Sequence, residues 1–237
     1  MEFIRPKVQT PVQSQVMVNS FIQSVYNWMA IGLALTGFVA YAVASSESML
    51  NLIFGSRVVF FGLIIGELAL VWILSARIGT MAASTATAMF IGYAVLNGLT
   101  MAAIFLAYTM SSIASTFFIC ALTFAACSVF GMVTKKDLTS MGSFMMMGLF
   151  GIIIASLVNL FVQSSAMGMI ISYIGVIVFV GLTAYDTQKI KEMAMTQPYD
   201  MEAGVARKGA IIGALNLYLD FINLFLMLLR ILGGSRD

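Results

Sequence analysis

The chain has 237 residues, of which 61% are hydrophobic and only 9% are charged, and its formal net charge is +2. A soluble domain has roughly 25% charged residues, so this composition excludes a water-soluble globular protein and indicates that lipid is the solvent. The small net charge, without a basic run, argues against nucleic acid as a partner, and the absence of histidine removes the usual metal ligand and the usual neutral-pH titrating group.

Seven apolar stretches of spanning length follow one another along the chain. They lie at 28–44, 58–76, 81–108, 112–133, 141–163, 167–188 and 209–232. A helix of about 20 residues crosses the hydrocarbon, so the first stretch is short unless it begins near Phe21, and the third must tilt, kink or extend beyond the lipid. The links between the stretches are brief, so consecutive helices are expected to be antiparallel neighbours. We therefore predict an all-α membrane protein with seven transmembrane helices; six spans plus a re-entrant segment is the alternative.

The polar segments outside these stretches are too short to build a core of their own. We expect residues 1–27 to be a cytoplasmic N-terminal segment without a cleaved signal peptide, residues 28–232 to form a single transmembrane domain, and residues 233–237 to be a short C-terminal tail.

The distribution of lysine and arginine predicts the orientation of the spans. With the N-terminus in the cytoplasm, nine of the twelve basic residues fall on the inner side, and only Arg57, Arg230 and Arg236 fall outside. The positive-inside rule therefore favours a cytoplasmic N-terminus, an outer C-terminus and an odd number of spans.

Few ionisable residues fall within the predicted spans. Glu67 lies in the middle of the second span and Asp220 lies inside the seventh, whereas Arg77 and Asp186 lie near the cytoplasmic ends of the second and sixth spans. A charge at the bilayer centre costs about 2.5–3.5 kcal/mol on insertion scales. The acids are therefore expected to face the protein interior, to pair with another group or to bind a proton.

The last span carries a polar stripe. Successive members are separated by four, three, four, three and seven residues, which places them on one face of a helix. They are Gly209, Gly213, Asn216, Asp220, Asn223 and Arg230. The two asparagines lie one turn away from Asp220 on either side. Such a face must look toward other helices or water, and both a structural hydrogen-bonded seam and a functional stripe are compatible with it.

Asp186 and Asp220 can meet if the last helix begins beyond the lipid or tilts. Two carboxylates in contact do not both ionise easily, so they would titrate as a unit and act as a pH sensor without histidine. When fully ionised, the same pair is a hard oxygen site that suits Ca²⁺ better than soft metals. Arg77 has no acid within one turn of its own helix and is expected to pair with one of these aspartates.

Five segments resemble the Bax inhibitor-1 (transmembrane Bax inhibitor motif) family, and its bacterial members in particular. The resemblance extends over nearly the whole chain and is carried by YNWMAIGLALTGFVAY, LALVWILSARI, ASTFFICALTFAACSVFGMVTKKDL, GVIVFVGLTAYDTQKIK and LYLDFINLFLMLLRI.

The resemblance implies a seven-helix fold in which the last helix is central and wrapped by the other six. It also implies a pH-sensitive Ca²⁺ leak, here across the inner membrane of a bacterium. Asp186 and Asp220 correspond to the two-aspartate sensor of the family, Arg77 to its arginine partner, and Glu67 to the acid of the second helix. Asn216 and Asn223 are expected to support the stripe, and the two aspartates to contact Ca²⁺. The linker 192–208 is longer than in compact members, which affects the register of Asp186 against Asp220.

The partners that follow are the lipid bilayer, Ca²⁺ and protons, without a tightly bound cofactor, and we expect no enzymatic activity. The suppression of cell death described for animal members is not expected to transfer, because the chain has no evident partner motif. An intramembrane aspartyl protease is disfavoured because the second aspartate lacks the Gly-x-Gly-Asp motif, and a retinal pigment would need a lysine within the last span. The alternatives are a proton-coupled transporter and a regulator of a membrane protease or complex without transport of its own.

Overall fold

The computed structural model describes residues 11–196, 198 and 201–234, and their side chains from residue 16 onward. This part of the chain contains nine helices: α1 (Pro11–Ala44), α2 (Glu47–Phe54), α3 (Arg57–Arg77), α4 (Ala83–Met101), α5 (Ala103–Ala107), α6 (Met110–Val133), α7 (Thr139–Val162), α8 (Ser165–Met195) and α9 (Ala203–Leu232). Seven segments are long and apolar enough to cross a membrane, with α4 and α5 forming one of them. The prediction of an all-α membrane protein with seven spans is therefore confirmed.

The ends of the spans differ from those of the apolar stretches. The first candidate span begins at Val16, because α1 continues upstream into residues that we assigned to the N-terminal segment. The long third stretch is divided by a turn at Ala102, which is one of the solutions expected for its length. Between the first two spans lies α2, a short helix that begins after Ser46, whose hydroxyl accepts a hydrogen bond from the Met49 amide at 3.5 Å.

Contacts at the two ends of α9 show which ends of α3 and α6 lie beside it. Near the start of α9, Lys208 Nζ donates to the carbonyl oxygen of Gly79, after α3, at 2.9 Å. Beyond the end of α9, the Gly234 amide donates to Ser112 Oγ, in the first turn of α6, at 2.9 Å. We call the side that contains the link between α8 and α9 the linker side; the positive-inside rule predicts that it faces the cytoplasm.

The last helix is the most buried span. In its most apolar window 61% of the residues are buried, against 6% for α3 and for α7. It packs extensively against α8, α1, α6 and α4, whereas α3 packs mainly on α4, and α7 packs on α8. The expected arrangement in which six helices wrap the last one is not confirmed, because α3 and α7 form an outer layer.

Candidate functional site

Asp186 and Asp220 lie on neighbouring helices, α8 and α9, which share the most extensive packing in the described part of the chain. Asp220 is only 5% exposed, and Asp186 is half-buried. Their carboxyl groups are near enough for their charges to interact. Among the described residues, however, the two side chains form no direct hydrogen bond with each other. The two carboxyl groups therefore influence each other through their charges rather than through a hydrogen bond.

One oxygen of Asp220 has no partner. Asp220 Oδ2 is buried and accepts no hydrogen bond from any described residue. Leaving a buried polar group unsatisfied costs about 1–3 kcal/mol, and more when the group is charged. Such groups in native proteins usually mark a bound water, an ion or a functional role. The orphan oxygen of Asp220 is therefore free to accept a water, a proton or a cation.

The cation that acts on Asp186 is Lys189, three residues further along α8. Residues at this spacing are neighbours on a helix surface, and the ammonium group of Lys189 lies in an exposed position. The sequence DTQK contained this signal, but we had considered Arg77 as the cationic partner of the aspartates.

Arg77 is the last residue of α3 and is exposed. Its helix packs on α2 and α4 and shares no extended contact with α8 or α9. The neighbouring Gly79 carbonyl meets Lys208, and Asp220 lies twelve residues further along α9, which corresponds to about 18 Å of helix. Within the described residues, the ion pair that we expected between Arg77 and either aspartate is not formed in this structure.

Two glycines allow α6 and α7 to pack closely on α8 next to Asp186, α6 on its backbone and α7 on the ring of Tyr185. A Cβ atom at Gly131 would collide with the Ala184 carbonyl oxygen, and one at Gly142 would collide with the ring of Tyr185. Ala184 and Tyr185 directly precede Asp186. Its backbone is therefore held by close packing against two neighbouring helices.

The side chain of Gln188 on α8 forms two hydrogen bonds with the link between α6 and α7. Its Nε2 donates to the Lys136 carbonyl oxygen at 2.8 Å, and its Oε1 accepts from the Leu138 amide at 2.8 Å. Gln188 is buried and lies two residues after Asp186. Because both amide atoms are used, the link is held over the linker-side end of the site. Sequence reasoning missed this role, since one polar residue near a span end carries no specific signal.

Asp137 in the same link is exposed and lies outside the spans. The Thr139 hydroxyl and the Thr139 amide, whose nitrogen is 2.8 Å from Asp137 Oδ1, donate to its carboxylate and hold the pKa of Asp137 below its ordinary value. Asp137 therefore remains ionised near neutral pH, which makes it a matched control for the buried aspartates. Asp200, another loop aspartate, lies outside the described residues.

The polar stripe of α9 is packed in part against neighbouring residues. At the linker side, Gly213 packs against Ile190 and Val25. Asn216 and Asn223 are both half-buried, and Asn223 Nδ2 donates to the Leu219 carbonyl oxygen of its own helix at 2.8 Å. Asn223 also borders a groove of about 300 Å³ between α7, α8 and α9. The support of an ion path by the two asparagines stays a prediction.

Glu67 finds its partners on α4 rather than on α9. Thr100 Oγ1 donates to Glu67 Oε1 at 2.8 Å, and Asn97 Nδ2 lies 3.4 Å from Glu67 Oε2. The neighbouring helix thus provides hydrogen-bond donors to this carboxylate. These donors offset part of the free-energy cost of placing a charge within the membrane. Neither partner was identified from the sequence, although both lie inside a predicted span, where polar side chains usually bond across helices.

The described residues contain no group of three or more aspartate, glutamate, cysteine or histidine side chains that could hold a metal ion. Tight Ca²⁺ sites use six to eight oxygen ligands, several of them carboxylates. Two carboxylates such as those of Asp186 and Asp220 are fewer ligands than such a site uses.

Comparisons with known proteins show which family the chain belongs to. A family model described as "Inhibitor of apoptosis-promoting Bax1" matches residues 18–237, which include every candidate site residue. The chain is 49% identical over 231 residues to the inner membrane protein YbhL of Escherichia coli (strain K12), with 98% of each chain covered. It is 44% identical over 225 residues to a protein of Borreliella burgdorferi, covering 95% of this chain and 96% of that protein. An uncharacterised membrane protein of Streptococcus pyogenes serotype M3 is 38% identical over 228 residues, covering 94% of this chain and 96% of that protein.

Proposed function

Because the chain belongs to the Bax inhibitor-1 family, we propose that it is a pH-sensitive Ca²⁺ leak channel gated by Asp186 and Asp220. The observation that carries the proposal is the buried carboxylate of Asp220, which has an unpartnered oxygen and lies beside a second carboxylate. Two interacting acids bind and release protons as a unit, so their charge changes with pH in a way that neither would show alone.

The chemistry of the pair links the proton to the ion. Ca²⁺ prefers ionised carboxylate oxygens, whereas the interior of the membrane favours neutral acids. Each proton taken up by the pair removes a negative charge from the path of the cation. The family resemblance, together with the relative that is named an inner membrane protein, supports a place in a bacterial inner membrane with the linker side in the cytoplasm.

The role of Arg77 in this proposal is that of a latch, and it requires a rearrangement. In this structure its guanidinium group lies exposed at the end of α3, far along the axis from Asp220. To pair with an aspartate, the arginine would have to turn inward toward α8. The gate itself is therefore assigned to the two aspartates.

The proposal is tested by calcium flux from proteoliposomes that contain the purified protein. A leak proceeds down the calcium gradient without a counter-ion. Saturable exchange that depends on a proton gradient would instead identify a proton-coupled transporter, an alternative favoured by Glu67 as a third acid in the membrane. Absence of flux from correctly folded protein would point to a regulator of another membrane protein.

A further inference from the structure

A chain of hydrogen bonds connects Glu67 on α3 to the last helix. It begins with Asn97, whose Nδ2 donates to Glu67, and whose Oδ1 accepts a hydrogen bond from Tyr218 OH at 3.0 Å. Tyr218 OH is in turn 2.7 Å from Thr36 Oγ1 of α1. Four helices are therefore joined by side chains alone, at the level of the membrane interior.

Three members of this chain are shielded from solvent, whereas Glu67 is half-buried. Tyr218 is fully buried, and Asn97 and Thr36 are buried as well. The ring of Tyr218 is held edge-on by Phe90 and Tyr93, with centroid separations of 6.0 and 5.7 Å. The position of the hydroxyl is thus set by aromatic packing, and its hydrogen bonds cannot be replaced by water without moving the last helix.

The direction of the chain depends on the charge of Glu67. An ionised carboxylate only accepts, so Asn97 turns its NH₂ group to Glu67 and its oxygen to Tyr218, which must then donate. A protonated Oε2 is a donor and requires the amide to rotate. The NH₂ group would then face Tyr218, and the hydroxyl proton of Tyr218 would turn to Thr36, which already can donate to the Ala94 carbonyl oxygen at 2.8 Å.

We propose that Asn97 and Tyr218 are positioning residues that transmit the protonation state of Glu67 to the last helix. Tyr218 lies two residues before Asp220, on the same turn of α9 but on a different face, so a hydrogen-bonding change at Glu67 reaches the turn of the helix that carries Asp220. For its effect on flux the inference rests on the proposed function, whereas the link between Glu67 and Tyr218 does not.

The other charged side chains of α2 and α3 lie at helix ends, away from the hydrogen bonds between Glu67 and Tyr218. Two groups on other helices interact with the charge of Glu67, namely Tyr93 of α4 and Tyr218 of α9. On α3 itself, Arg57 and Arg77 lie ten residues away at the two ends, and on α2 the only charged residue is Glu47 in its first turn.

The test is the infrared carbonyl-stretching band of protonated Glu67, recorded on the intact protein in lipid as pH is lowered. Loss of the band in Glu67→Gln assigns it. Because this frequency reports the hydrogen bonding of the acid, Tyr218→Phe is expected to shift it, although Tyr218 does not touch Glu67. Tyr26→Phe is the matched control: it removes one hydroxyl from a partly buried tyrosine of α1 that lies outside the chain, and it should leave the band in place.

Thr36→Val provides a second variant if Tyr218→Phe does not fold, and it should also shift the band. A band that stays unchanged in the folded Tyr218→Phe or Thr36→Val protein would overturn the inference, as would the absence of any Glu67 band across the pH range. The two proposals separate cleanly. A shifted band without calcium flux supports the inference and contradicts the leak, and pH-sensitive flux with an unshifted band does the opposite.

Discussion

Gln188 accepts a hydrogen bond from the backbone amide of Leu138 at 2.8 Å, which ties the link between α6 and α7 to the helix that carries Asp186. The same side chain donates to Lys136. Because these bonds are buried and lie near the aspartate pair, they give the linker side of the site a fixed shape.

We expect Gln188→Leu to destabilise the protein by about 1–3 kcal/mol, because it leaves two backbone groups without partners. Thermal unfolding of the detergent-solubilised protein measures the loss. Gln23→Leu changes an exposed glutamine on α1 in the same way and should have little effect. Equal melting temperatures for the two variants would show that the hydrogen bonds of Gln188 contribute nothing to the stability of the protein.

Gly131→Ala is predicted to destabilise the protein by about 1–3 kcal/mol, because the new methyl group collides with the Ala184 backbone. Gly151→Ala on α7 is the control. A methyl group there meets no atom within 4 Å, so the substitution should be neutral or slightly stabilising through its helix propensity. The same thermal unfolding measurement decides the point, and a tolerated Gly131→Ala would contradict close packing next to Asp186.

Much of the fold was predictable because lipid imposes a long apolar run on every span. The seven spans followed from that constraint. The outer position of α3 and α7 did not, since helices that face lipid and helices that face protein are both apolar. α2 was missed because an eight-residue amphipathic helix leaves no spanning run.

The acids of the candidate site stand out in the sequence, whereas the residues that contact them do not. Asp186, Asp220 and Glu67 are conspicuous because charge is costly in the membrane. The residues that surround them are a glutamine, an asparagine, threonines and glycines, which are common in transmembrane helices. Which of them touch an acid depends on the packing of helices distant in the sequence. Asn97 and Glu67, for example, meet across α3 and α4.

Arg77→Ala is expected to raise the basal calcium leak if the arginine acts as a latch, and to leave the melting temperature nearly unchanged because no ion pair is lost in this structure. Flux at neutral pH and thermal unfolding provide the two readings. An unchanged leak with an unchanged pH profile would show that Arg77 only extends toward the lipid headgroups.

The predicted orientation can be tested with topology reporters. A reporter fused after Asp237 should appear on the outer face, whereas one inserted within 192–206 should appear in the cytoplasm, because nine of the twelve basic residues then lie inside. Both fusion sites fall wholly or partly outside the described residues. A cytoplasmic C-terminus would rule out seven spans with this orientation.

The central claim is that Asp186 and Asp220 sense pH, and calcium flux between about pH 6 and 8 from proteoliposomes carrying Asp186→Asn, Asp220→Asn or both tests it most directly. Asparagine keeps the size of aspartate but does not titrate, so each variant should flatten the pH dependence. Asp137→Asn, which alters an exposed aspartate held ionised by Thr139, should retain the wild-type profile. A double variant that kept the full pH response would contradict the account and leave the aspartates as a structural seam between α8 and α9.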